Sequence, residues 1–260
     1  MSAATIAAQM TGADFLKLRK KRGVVAWALV VALLPLLSYF VVSALQHASD
    51  PAHHGPAGGA HGFTEGLRAI SFFFGPLAAI LIGVEAGAGD SSAGVFRDLV
   101  VTGRSRLALF ATRVPAALAL CALVMGAAYG VLLIGTFAFA AGAPDPSTAL
   151  LLNGLGFTLL ATGVVCAVAV GFSALIASRP TALTALIGWM LVASPILVGI
   201  SSLGSSRKAV LSDALAHFSP VAVERGGSVP MSQGLALLVL AAWLIALLGL
   251  GAWRTRTMDS

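Results

Sequence analysis

The residues able to do chemistry are sparse in this chain, and they gather between Glu85 and Arg113. The stretch carries Glu85, then Arg97, Asp98, Arg104, Arg106 and Arg113. Interleaved acids and bases of this kind make ion pairs and docking contacts. A hydrolytic centre would instead need a nucleophile held beside its base. Residues 94–102 are compatible with a short amphipathic helix: Val95, Phe96 and Leu99 share a face at i, i+3 and i+4 spacing, and Gly103 stops it. Such a helix can lie along a membrane surface and offer a small knob to a partner. No phosphate loop ending in Gly-Lys-Ser/Thr occurs, so no nucleotide is expected to bind by that route, and no His/Glu pair has metal-site spacing. His47, His53, His54 and His61 fall in a segment rich in Gly, Ala and Pro. It is too pliant to preorganise an ion site, so the expectation is a solvated, flexible loop, no metal and no cofactor on this chain.

The elements that must position these residues are set by solvent. The chain of 260 residues is 58% hydrophobic and only 10% charged, where a soluble domain carries about a quarter charged residues. Lipid is therefore the expected solvent for most of it. About 20 apolar residues cross the roughly 30 Å hydrocarbon core, and six runs qualify: 24–45, 67–84, 107–141, 149–177, 181–200 and 234–253. The third is long enough to include an interfacial turn, with Pro115 near its start expected to kink it. The short turn at 142–148 makes the third and fourth runs an antiparallel hairpin. The expected fold is all-α: one transmembrane domain over 1–260, six spans, a cytoplasmic interfacial helix within 1–23, and a cytoplasmic helix between spans two and three. The stretch 209–218 reads as a re-entrant or interfacial helix before the last span.

Arginine and lysine set the orientation. With both termini in the cytoplasm, 12 of the 16 basic residues fall inside, while the ten acidic residues divide evenly. The net charge of +6 then reads as topology and attraction to anionic lipid, with no nucleic-acid partner. The basic N-terminal segment around Phe15, Lys17, Arg19 and Lys20 is expected to rest on lipid headgroups, touch a cytoplasmic partner, or both. Within the spans the polar groups are mild. Asn153, Thr158 and Thr162 are candidate pathway-lining residues, although interhelical hydrogen bonding explains such threonines equally. The near absence of charge at midplane argues against an ion- or proton-coupled carrier. Gly126 and Gly130 form a small-xxx-small pattern, expected chiefly to pack helices within the chain and alternatively to mark a dimer face. Cys121 and Cys166 are expected to be buried thiols without a disulfide.

The run from Gly94 through Phe96, Arg97, Arg104, Ser105 and Arg106 to Arg113, preceded by Glu85, resembles the cytoplasmic signature of ABC-2 type transporter permeases. Val95, Gly103 and Arg113 stand where that signature has Thr, Pro and Lys. The basic amphipathic start, six spans and larger outer segment before the last span are similar too. The resemblance implies a non-enzymatic permease subunit of an ATP-driven exporter in the cytoplasmic membrane, moving a lipophilic or amphiphilic substrate. Glu85, Gly94, Phe96, Arg97, Arg104 and Arg106 would form the coupling surface, with Glu85 pairing with Arg97 or Arg106. The partners it implies are a separate ATPase subunit carrying ATP and Mg and a second permease copy as homodimer. The alternative from another class is a scaffold or sensor subunit that transports nothing.

Overall fold

The structure, a computed structural model, describes residues 3–92, 105–176, 178–222 and 229–257. Every regular element among them is helical. They are α1 (Ala3–Lys20), α2 (Arg22–Ser49), α3 (Gly59–Ala69), α4 (Gly75–Ser92), α5 (Arg106–Ala138), α6 (Thr148–Ile176), α7 (Arg179–Gly188), α8 (Ser194–Gly199), α9 (Leu211–Ala216) and α10 (Gln233–Thr257). Helix α3 runs into α4, and α7 into α8, so six helical rods are long and apolar enough to cross a membrane. In lipid a backbone must satisfy its own hydrogen bonds, and the helix is the open-chain way to do so. Helix α5 is unbroken over 33 residues, passing through Pro115, where the sequence suggested an interfacial turn.

Two rods carry π turns, and both have the same cause. At Ile70–Phe74 the Gly75 N–H donates to the Ile70 carbonyl, five residues back, immediately before Pro76. At Trp189–Ala193 the Ser194 N–H donates to the Trp189 carbonyl, immediately before Pro195. A proline has no N–H, and its ring crowds the carbonyl one turn earlier; a locally widened helix makes room for it.

The rods alternate in direction, which gives the bundle two distinct ends. The starts of α2, α5 and α7 and the ends of α4, α6 and α10 share one end, against which α1 packs. The closest seam joins α4 to α6. A Cβ at Gly83 would sit 2.5 Å from the Cys166 carbonyl oxygen, and one at Gly87 would sit 2.4 Å from that of Val170. Glycine lets the two backbones touch there. By contrast, nothing lies within 4 Å of the added Cβ at Gly126 or Gly130. Their pattern therefore does not pack helices within the chain as expected: α5 buries Val124, Met125, Ala128 and Tyr129 and turns these glycines outward.

At the far end, the segment expected to be a solvated loop is partly built in. The second rod begins at Gly59, not near residue 67. Gly58 N–H donates to the Phe139 carbonyl at 2.9 Å, and Ala60 N–H to that of Pro144 at 2.7 Å. Gly59 has φ +68°, which glycine adopts freely, and Ala57, Gly58 and Gly59 are all buried against the α5–α6 turn. Small residues that suggest flexibility in the sequence here serve close approach. His47 and His53 do lie outside this packing, bonded to the His54 carbonyl and to Asp50. The apolar 209–218 stretch forms α9, whose Leu211, Ala214 and Leu215 are buried against α6 and α10.

Candidate functional site

The charges that the spans exclude are collected at the α1 end of the bundle. Helix α1 is amphipathic by burial: Asp14, Phe15, Lys17 and Leu18 turn toward the bundle, while Arg19 and Lys20 face out. Phe15 and Leu18 join the main apolar core, so α1 is fixed by packing before any charge is considered. That packing aims Lys17 at Asp90, near the end of α4, and the α1–α2 junction aims Lys21 at Glu85. Lys17 and Lys21 are thus ion-pair partners inside the bundle, a role distinct from the lipid or partner contact expected of this segment. Arg19 and Lys20 keep that outward orientation.

Asp90 is bound from two sides. Besides Lys17, the Arg113 Nη2 donates to its Oδ2 at 2.9 Å, while Arg113 Nη1 donates to the Gly87 carbonyl at 3.2 Å. Arg113 is 4% exposed, so this contact crosses from α4 to α5 out of water. Glu85, one and a half turns earlier on α4, is 3% exposed and holds both Lys21 and Arg179, the first residue of α7. The boundary carboxylate expected to face water is thus a buried one held by residues distant in sequence, while its expected pairing with Arg97 lies outside the described residues. Asp14 completes the set by accepting from Thr112 Oγ1 at 2.7 Å. Burial pushes the Asp14 carboxyl above its ordinary value, opposed by the Thr112 hydroxyl and then by Arg113 and Lys17.

These groups surround a cavity of about 290 Å³, counting its open mouth, lined by Asp14, Lys17, Lys21, Glu85, Asp90 and Arg113 among others. Three carboxylates meet four cations when Arg179 is included. Burying each ion costs several kcal/mol, and mutual attraction offsets it only when hydrogen bonding is nearly complete. Asp90 meets that condition with two cations, whereas Glu85 is hydrogen-bonded by Lys21 and only ion-paired by Arg179, its Oε2 lacking a hydrogen bond. Such a cluster adds little net stability, but it fixes register strongly because any single displacement strands a charge. It ties together α1, α2, α4, α5 and α7. Its members are carboxylates and cations that make ion pairs between helices.

The cluster brackets residues 93–104. Asp90 stands just before that segment and Arg113 shortly after it. Gly94, Phe96, Arg97 and Arg104 lie outside the described residues. Arg106 opens α5, where Ser105 caps the helix by accepting from Ala108 N–H at 3.2 Å.

The proposed pathway residues separate. Thr158 and Thr162 are fully buried, at 0% and 1% exposure. Thr158 Oγ1 lies 2.9 Å from Ser71 Oγ, joining α6 to the first π turn, and Thr162 Oγ1 donates to the Thr158 carbonyl at 2.7 Å. Asn153 is exposed on another face of α6. Lys21, Asp90, Asp14 and Arg179 were not singled out from sequence. The available signal was basic residues in or beside the first turns of several rods and two acids near the end of one. Among the described residues no three of His, Cys, Asp and Glu are placed to hold a metal ion. Compared with the models of known protein families and with curated proteins, the chain matches none.

Proposed function

We propose that this chain is the permease subunit of an ATP-binding cassette exporter of the ABC-2 type. It sits in the cytoplasmic membrane with both termini in the cytoplasm, works as a homodimer, and is driven by a separate ATPase subunit. The observation that carries this reading is the buried ionic cluster bracketing residues 93–104. A load applied to that segment by a nucleotide-driven partner passes through Asp90 and Arg113 to α1, and through Glu85 to α2 and α7. Packed, charge-matched elements transmit displacement because they have few intermediate arrangements. The bias of basic residues toward the cluster end supports a cytoplasmic placement for it, and α1 then lies at the membrane surface. The open face of α5 carrying Gly126 and Gly130 supplies a surface on which a second copy would approach closely.

The test is purification of the full chain from native membranes, followed by reconstitution. The reading expects a stoichiometric ATPase bearing a Gly-x-x-x-x-Gly-Lys-Ser/Thr loop. Arg97→Glu and Arg106→Glu should leave the permease folded while abolishing its stimulation of ATP hydrolysis and transport. Normal transport and stimulation in both variants would overturn the coupling assignment. Absence of any ATPase would favour a scaffold or sensor role.

A further inference from the structure

The two π turns face each other across an apolar cleft. One side presents Phe72 and Pro76, the other Trp189 and Met190, and the void is about 610 Å³ counting its open mouth. We propose that this cleft binds a single alkyl chain of an amphiphile, with the amphiphile's polar end at Ser194 and Ser212.

The polarity of the cleft sets that orientation. The end lined by Ile80, Val168 and Leu186 is apolar, and the Ser71 hydroxyl that also lines the cleft is engaged by Thr158. The other end carries the Ser194 and Ser212 hydroxyls, 2.6 Å apart. Two hydroxyls joined by one hydrogen bond leave one O–H proton to donate to a ligand oxygen. Leu186 and Ser194 are eight residues apart on one rod, roughly 12 Å at the helical rise. That geometry suits an extended chain with a polar terminus better than a compact ring system. The lining is of the kind that ligand pockets generally have, mostly apolar with a few placed polar groups.

Access follows from the way the fifth rod is held. Its first half is fixed by Ala182 and Leu186, at 0% and 8% exposure. Within the π turn Leu191 and Val192 are exposed, and in α8 beyond it only Ser194 is buried while Ile196 is exposed. A surface of that kind faces hydrocarbon, so the cleft adjoins the bilayer interior and an alkyl chain can enter sideways without crossing water.

The experiment uses the full chain in diacyl phosphatidylcholine vesicles, with a fatty acid bearing a diazirine near its terminal methyl as probe. Adducts after photolysis are mapped by peptide mass spectrometry. The expected result is saturable labelling at Val168, Leu186 and Met190, suppressed roughly tenfold by unlabelled fatty acid. Val168→Phe, which fills the apolar end, should lower it comparably. Non-saturable labelling equal to that of the lipid-facing Leu238 and Ile245 would overturn the proposal. So would indifference to the filling variant in a correctly folded sample. Should that variant misfold, competition in the unaltered chain decides. Because the vesicle supplies diacyl lipid in large excess, saturation also excludes an ordinary bilayer lipid as the occupant. No ATPase is present, so this outcome and that of the coupling test are independent.

Discussion

The α4–α6 seam and the second half of the fifth rod pack in opposite ways, although both are apolar helix in the same bundle. At the seam, Gly83 and Gly87 bring backbone against backbone, and the ionic cluster ties the same end of α4 to α5. In α8, past the π turn, Ser194 is the one buried residue. Lipid supplies no hydrophobic drive between helices, because its tails are as apolar as leucine. Association therefore depends on close approach and polar contacts. Where small residues and charges are provided, the bundle is fixed; where a proline and bulky side chains take their place, a helix stands off and leaves a cleft.

The contrast is most severely broken at its charged end. Asp90→Ala strands Arg113, which is nearly enclosed, and should cost about 3–5 kcal/mol of unfolding free energy, measured by equilibrium denaturation in detergent. Gly87→Leu should come next, at about 2 kcal/mol, because the new side chain meets a backbone carbonyl that cannot rotate away. Gly126→Leu is its control: it should leave the stability of one chain within about 0.5 kcal/mol but shift a dimer toward monomer in light scattering. Glu85→Gln should cost less, about 1 kcal/mol, since Lys21 and Arg179 retain 34% and 39% side-chain exposure and reach water.

The smallest effect belongs to Asp14. Burial holds its carboxyl above the ordinary 3.8, so the folded chain keeps the proton more tightly than the unfolded one. Its contribution to docking is full below that ordinary value and is lost as pH rises through the raised one. Asp14→Asn, which can still accept from Thr112, should tighten α1 at neutral pH by a few tenths of a kcal/mol after allowance for partial exposure. It should also flatten the pH dependence, read by hydrogen exchange across α1.

The six rods were legible in the sequence because lipid imposes length and apolarity on every span, and the amphipathic start of the chain was legible from its lysines. The cluster was not. Glu85 was recognised, but its partners come from the first two helices and from α7, and separations of that size leave no trace in local spacing. The packing glycines show a second limit. Gly83 and Gly87 have the same spacing as Gly126 and Gly130, and spacing alone does not say which pair faces a neighbour. Pro76 and Pro195 were visible, yet a proline in an apolar run signals several outcomes, of which a π turn is one.

Each π turn also changes the phase of its rod. An extra residue in a helix advances everything beyond it by about 100°, so the stripe buried before Ile70 and the stripe buried after Gly75 cannot be drawn as one line. The second and fifth rods each present two unaligned faces, one to each half of the bundle. Removing a single residue from either turn would swing half a rod around its axis, exchanging what it shows to its neighbours for what it shows to lipid.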